Sequence, residues 1–446
     1  MPMSVQEARD LATRVVGLTA ADSAEVLVLA ESSALTRFAN NRINQNVAED
    51  DAQVSIRAVL GKRIGVASTN RLDDASLRAA ADAAVRAAKI APEDPAFPGL
   101  PGAAPVPEVN RAVDATRTFD AEARANAVGA IVAQSASRGL TAAGKVSVAE
   151  NVIAVANSLG VDVGTALTTA AATVLSMGPD SGSGWAQFLD ADAGKLAAEA
   201  LGSQAADLAQ RSANPGALEP GDYIVVLAPE AVADIVEFLA YTGASAKAFA
   251  EGRSFLSDKL GQQIVSGVVS LADDPFAPLA MGTTFDYEGQ PRRRVQIIDH
   301  GIARAPVTDS YWAAKLRRPN TGHALPAPNA FGPMPMNLEM AAGITSLDDL
   351  IGLVTRGVYV TRFHYVNVED PIAVTLTGMT RDGTFLIEHG RLTRPLKNLR
   401  FTQSAIEALL NCDGATYDRR FVATEEGAVL VPGLLIGKFA FTGQTA

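Results

Sequence analysis

The chain has 446 residues, 48% of them hydrophobic and 20% charged, which is too long for one ordinary core and too apolar to stay disordered, so two or three globular domains are expected. Thirty-eight basic against forty-nine acidic side chains leave a net charge of −11 with no basic stripe, which argues against direct nucleic-acid contact. A single cysteine, Cys412, excludes an intrachain disulfide framework, and no uncharged apolar run approaches the roughly 20 residues that span a bilayer. Glu7, Arg9, Asp10 and Arg14 break up any signal-peptide core at the start, so a cytoplasmic protein with no membrane association is expected.

Ser4-Val-Gln-Glu7 reads as a capping box opening a helix whose apolar period runs through Val16. Ala24 to Ala30 and Gln53 to Leu60 are strand-like, and Gly61-Lys62 offers a turn into a third strand, Arg63 to Thr69. Asp73-Asp74 starts an Ala- and Arg-rich helix to Lys89, acidic at its beginning and basic at its end as the helix dipole favours. Residues 91 to 107 hold six prolines, which remove donors and fix φ, so an exposed strap is expected there. A helix over Asp120 to Arg138, strands over Val146 to Ala156 and Val161 to Ser176, and a helix over Asp190 to Arg211 follow.

Breakers at Asn214-Pro-Gly216 and Pro220-Gly221 suggest a boundary, giving an N-terminal domain over 1–215 and a second over 216–446. In the second part, Tyr223 to Leu227 reads as a strand, Pro229 to Thr242 as a helix and Val295 to Asp299 as a strand. Ser346 caps a short helix that Gly357 is expected to close. Val358 to Phe363, Ile372 to Leu376, Thr384 to Glu388 and Val429 to Phe441 are further strand candidates. The order implies an α+β fold, with a mixed helix and antiparallel-sheet domain followed by a β-rich one.

Local chemistry is sparse. His300, His323, His364 and His389 are each more than twenty residues apart, so no helix presents two of them to one metal, and structural roles are expected. Cys412 has no activating neighbour and reads as a half-buried thiol near a turn. There is no GxSxG elbow and no phosphate-binding glycine signature. Asp273-Asp274 and Glu425-Glu426 are carboxylate pairs whose adjacent side chains point apart, so solvated turn charges are expected.

A set of segments in the second half shares order and spacing with one family. Phe285-Asp-Tyr-Glu-Gly289 is followed by Val295-Gln-Ile-Ile-Asp-His-Gly301, then by Thr321-Gly-His323, Pro335-Met-Asn337, Arg356-Gly-Val-Tyr-Val-Thr361, Thr375-Leu-Thr-Gly378 and Phe385-Leu-Ile-Glu-His-Gly390. Asp222 to Pro229, Gly243 to Gly261, Arg37-Phe-Ala-Asn-Asn-Arg42 and Gly61-Lys-Arg-Ile-Gly65 also fit. Together they resemble the TldD/PmbA family, also called the modulator of DNA gyrase family, over nearly the whole chain. In the zinc-bearing TldD type, the helix after the first strand of the second domain carries HExxxH, and a cysteine near the C-terminus completes the metal site. Here the two histidine positions correspond to Glu237 and Thr242 and the glutamate position to Phe238, within Ile235 to Thr242. Thr424-Glu-Glu-Gly-Ala428 replaces the family's cysteine segment, while Arg253 to Gly261 resembles the PmbA type, also called TldE.

The resemblance implies a chain with no catalytic or metal-ligating residues and no cofactor of its own, whose degenerate positions Glu237, Phe238 and Thr242 are cleft-facing candidates. Zinc is expected in a TldD-type partner subunit, the pair forming a heteromeric metallopeptidase for flexible or unfolded peptides. Two alternatives stay open: a free-standing homodimeric peptidase, and a protein-binding regulator linked to DNA gyrase.

Overall fold

A computed structural model describes residues 3–277, 279–424 and 427–444. The capping box forms: the Glu7 N–H donates to Ser4 Oγ at 3.2 Å and the Ser4 N–H to Glu7 Oε2 at 2.8 Å, starting helix α1 (Val5–Leu18). Strands β1 (Ser23–Ala39) and β2 (Arg42–Leu60) form a hairpin whose tip residues Asn40 and Asn41 have φ of 51° and 61°. A two-residue type I′ loop demands that left-handed pair, which asparagine tolerates well. β3 (Arg63–Thr69) and α2 (Asp74–Ile90) follow, then α3 (Asp114–Arg117), α4 (Ala121–Ala136), β4 (Thr141–Asn157), β5 (Asp162–Met177), β6 (Ser183–Asp190) and α5 (Ala198–Arg211). The six strands form one antiparallel sheet in the order β3-β2-β1-β4-β5-β6.

Both faces of that sheet are covered, and the alternation along its strands shows by what. Val26, Val28, Ala30, Val152, Ala154 and Ala156 point toward α1 and α2, whereas Leu27, Leu29, Ile153 and Val155 point the other way and pack with Phe285 and Tyr287 of the second domain. This double burial is why Ala24 to Ala30 reads as a nearly continuous apolar run rather than an alternating one.

The helix expected from Asp190 begins instead at Ala198, and the residues before it are strand β6 and a short 3₁₀ turn capped by Asp192. Bare glycine decides this: α5 lies so close over β6 that a Cβ on Gly184 would sit 2.1 Å from the Ala205 carbonyl oxygen. The proline-rich stretch is a strap, though not wholly exposed, because Phe97 and Leu100 bury against Val59. Prolines cannot donate but their carbonyls still accept. Asn157 Nδ2 donates to the Pro101 oxygen at 2.8 Å, and from the second domain Thr284 Oγ1 donates to that of Pro107 at 2.8 Å.

The C-terminal domain contains β7 (Gly221–Leu227), α6 (Pro229–Gly243), α7 (Ala246–Ala250), β8 (Leu271–Asp273), β9 (Val295–Asp299), β10 (Ile302–Ala303), α8 (Ser310–Leu316) and β11 (Leu338–Met340). It continues with α9 (Leu347–Gly352), β12 (Arg356–Asp370), β13 (Thr375–Glu388), β14 (Arg391–Pro395), β15 (Leu399–Ser404), α10 (Ala405–Leu410), β16 (Cys412–Ala423) and β17 (Ala428–Gln444). Its sheet runs β10-β9-β8-β11-β17-β15-β13-β12-β7, and β7 also pairs with β17, closing five strands into a ring. Phe363, Phe401 and Phe439 cluster in the core, with centroids 4.5 to 5.7 Å apart. The fold is thus α+β, β-rich in its second domain.

Two local expectations differ from what is seen. Gly357 does not close the helix after Ser346, which ends at Gly352; Gly357 lies inside β12, where a Cβ would come 2.5 Å from the Ile224 oxygen on β7. Residues 371–374 form a turn rather than a strand, because Asp370 Oδ1 accepts from the Ile372 and Ala373 N–H groups at 2.8 and 3.2 Å.

Candidate functional site

Helix α6 is apolar on nearly every side, so it can exist only as a core helix. Pro229 supplies the preset φ at its first turn, and the Ala228 N–H is held by the Val360 carbonyl at 2.9 Å. Its far end packs tightly, since a Cβ on Gly243 would lie 2.3 Å from the Phe255 ring. Between these ends stand the three positions compared with HExxxH. Glu237 is 7% exposed and lines a cavity; Phe238 packs half-buried on the core. Buried Thr242 donates its hydroxyl to the Phe238 carbonyl at 2.7 Å. The structure therefore brings one of the three, Glu237, to the cavity wall.

That cavity, of about 220 Å³, is walled by Ala240, Tyr241, Phe331, Met336 and Leu338 beside Glu237. A second cavity of about 270 Å³ adjoins it, sharing Met336, Leu338, Gly427 and Ala428, and reaches Leu189 and Thr169 of the N-terminal sheet. Tyr241 and Phe331, with rings 6.1 Å apart, are 41% and 61% exposed at the rim. The result is an apolar cleft bordered by both domains.

The wall of the cleft is fixed from beneath. Asp273, expected to be a solvated turn charge, is fully buried: its Oδ1 lies 3.0 Å from His323 Nε2, and its Oδ2 accepts from the Met336 and Asn337 N–H groups at 2.6 and 2.7 Å. Burial alone would raise the Asp273 carboxyl, but His323, the Arg292 charge and the Asn337 amide outweigh it and hold it below the ordinary value. Burial in turn holds the His323 imidazole below its usual range. The pair lies fifty positions apart in sequence, which is why no local pattern shows it. Asp274 is also mostly covered and meets Arg294 at 3.0 Å. The second carboxylate pair, Glu425-Glu426, lies outside the described residues.

A second buried polar cluster joins the domains. Arg57 on β2 meets Glu25 of β1 at 2.8 Å and Glu288 of the Phe285–Gly289 turn at 3.1 Å. Burial pushes the Glu25 carboxyl up to about 7 even against the pull of Arg57. Asp286 ties the same turn together, accepting from the Glu288 and Gln290 N–H groups and from Ala324 at 2.9 to 3.0 Å. This turn is thus an interdomain clasp.

Other sequence candidates stand apart from the cleft. Cys412 is 3% exposed at the start of β16, more deeply buried than expected, and burial pushes its thiol up to about 12. His300 is exposed beside Asp299, and His364 lies against the Tyr365 ring. Among the described residues no three His, Cys, Asp or Glu side chains gather as a metal site requires. The side chains at Glu237, Phe238 and Thr242 do not fit a zinc ion: one carboxylate, one hydrocarbon and one hydroxyl committed to the backbone.

Residues 220–443 match the model of the PmbA/TldA metallopeptidase C-terminal domain, and residues 24–88 match PmbA/TldA metallopeptidase domain 1. The chain belongs to this metallopeptidase family. Relatives include a TldD homologue of Haemophilus influenzae described as a metalloprotease, 30% identical over 35% of this chain and 33% of that protein. A metalloprotease of Methanothermobacter thermautotrophicus is 25% identical over 50% of this chain and 49% of its own length. The chain thus spans half or less of these relatives. Among solved structures, TldE from Thermococcus kodakarensis superposes with a TM-score of 0.88 at 21% identity, covering 99% of this chain and 100% of that one. A Thermotoga maritima protein described as a modulator of a DNA gyrase gives 0.85 at 19% identity, over 97% and 99%. These likenesses show that the family fold extends along the chain. No helix among the described residues is long and apolar enough to cross a membrane.

Proposed function

We propose that this chain is the zinc-less subunit of a heteromeric metallopeptidase, holding flexible peptides in its cleft while a TldD-type partner subunit supplies the zinc and the catalytic base. The observation that carries this reading is the chemistry at α6: the family fold is kept, while Phe238 cannot take a proton and the Thr242 hydroxyl is committed to the helix backbone. The apolar cleft supports the peptide role, since aliphatic side chains of a peptide gain by leaving water there. The β-rich domain would supply most of the contact with the partner, as obligate interfaces are large and apolar. We place the complex in the cytoplasm, in keeping with a lone buried thiol.

Size-exclusion chromatography with light scattering, run on this chain with and without a TldD-type partner, tests the assembly. The expected result is a heteromer with peptide cleavage that neither chain shows alone. If no TldD-type chain shifts its mass, the subunit reading fails.

A further inference from the structure

We infer that the cavity between the two domains beside Asp309 takes the ammonium group of a peptide, either its amino terminus or a lysine side chain, a role that extends the peptide-holding function proposed above and rests on it.

This cavity measures about 780 Å³ and meets the cleft at Leu325, which lines both. Ile64, Val66 and Phe97 wall it from the N-terminal domain, and Tyr311, Trp312 and Leu325 from the second. Most of its charged side chains are already matched. Arg57 is shared by Glu25 at 2.8 Å and Glu288 at 3.1 Å, Glu251 is met by Arg253, and Lys247 donates to the Ala330 carbonyl. Half-buried Asp94 accepts from the Ala96 N–H at 3.0 Å. Exposed Lys315 lies at the far end of α8, its Nζ 4.5 Å from the centroid of the Trp312 ring.

Asp309 is the exception. It is 7% exposed, and its Oδ1 accepts from the Trp312 N–H at 2.8 Å to start α8. Its Oδ2 has no hydrogen-bond partner among the described residues and stays accessible at the cavity wall. Glu288, whose Oε2 accepts from the Ser310 N–H at 3.3 Å, brings a second carboxylate beside it. One guanidinium therefore stands against three carboxylates, Glu25, Glu288 and Asp309, at this end of the cavity. Burial and the Glu288 charge raise the Asp309 carboxyl to about 6, as suits a carboxylate short of counter-charge, and still leave it mostly ionised at pH 7.5.

The missing partner is a cation, and the donors present narrow its kind. A metal ion would need more ligands than gather here, since among the described residues no three His, Cys, Asp or Glu side chains come together. Arginine favours both oxygens of a carboxylate at once, and Oδ1 is committed to the helix start. An ammonium is a compact charge that a single oxygen can meet. The apolar walls suit the carbon chain that carries it.

The test uses the full chain at pH 7.5 and three peptides with a C-terminal fluorophore: Ala-Leu-Ala-Leu with a free amino terminus, its acetylated form, and acetyl-Lys-Leu-Ala-Leu. Anisotropy titration should show the acetylated form binding about tenfold or more weakly than a peptide that carries an ammonium. Preference for the free amino terminus identifies the α-amine as the group taken, and recovery by acetyl-Lys-Leu-Ala-Leu identifies the lysine side chain. Asp309→Asn should abolish the preference and leave the acetylated form unaffected. Its urea midpoint should be unchanged or higher, because asparagine caps a helix as well as aspartate and brings no buried charge. Equal affinity of wild type for all three peptides would overturn the inference while leaving the peptide-holding role intact. A preference that survives in Asp309→Asn would overturn it as well. Absence of binding by any peptide would remove the peptide-holding role and the inference together; the subunit reading would then be decided separately by assembly with the partner.

Discussion

Glu25 offers a quantitative check on the clasp between the domains. It is 5% exposed, shares the Arg57 guanidinium with Glu288, and has its pKa pushed by burial from 4.5 to about 7. Between those values the folded protein keeps a proton that the unfolded chain releases, so stability is full below about pH 4.5 and declines as pH rises toward 7. A displacement of that size corresponds to about 3 kcal/mol, in a group too buried for solvent to screen. Glu25→Gln keeps the shape and an acceptor for Arg57 but cannot titrate. Urea midpoints of both proteins, measured between pH 4.5 and 8, should therefore separate: the wild type loses about 3 kcal/mol relative to the variant as pH rises. Asp286 and Asp309, raised to about 7 and about 6 mainly by burial, add declines of the same sign to both proteins and cancel from the difference. Parallel curves, or a wild type that gains on the variant as pH rises, would refute this account of the cluster.

Asp273→Asn should cost about 3 kcal/mol or more in urea unfolding, since it removes the charge that meets His323 and the Met336 and Asn337 amides in a fully buried site; a neutral outcome would show that the cleft wall is held by something else. Gly289→Ala should lose about 1–3 kcal/mol, because φ is +70° and the new Cβ would lie 2.4 Å from Val161 Cγ1. Unchanged stability there would mean that the Phe285–Gly289 turn does not seat on the N-terminal sheet. Cys412, buried and with its thiol raised to about 12, should resist thiol reagents at pH 8 until the protein is unfolded, with absorbance of the released chromophore as the readout; fast labelling of the native chain would contradict its burial.

Elements with a local cause were legible from the sequence. The Ser4 capping box, the turn at Gly61-Lys62 and the proline at the start of α6 each act within a few residues, and each element formed where expected. Contacts between distant segments were not legible. β6 was hidden because the strand depends on a helix passing over Gly184, and Asp273 was misjudged because its partners lie near 323 and 336. At the site, α6 could be read from its apolar run and the three compared positions from the family resemblance, but only folding shows that Glu237 meets the cavity while Thr242 turns back to its own helix. Asn337 stands in Pro335-Met-Asn337, which gives no sign that its amide is buried and, among the described residues, without a partner. Glu288 lies in the Phe285–Gly289 segment, and its link to Arg57 needed both domains in place.

The zinc content of purified protein, measured by inductively coupled plasma mass spectrometry on this chain alone and on its complex with a TldD-type partner, bears most directly on the claim that it belongs to a peptidase without being the part that cuts. The account predicts essentially no zinc in the isolated chain, one zinc per heteromeric pair, and peptide cleavage confined to the pair. Stoichiometric zinc in the isolated chain, with cleavage abolished by a chelator, would contradict it.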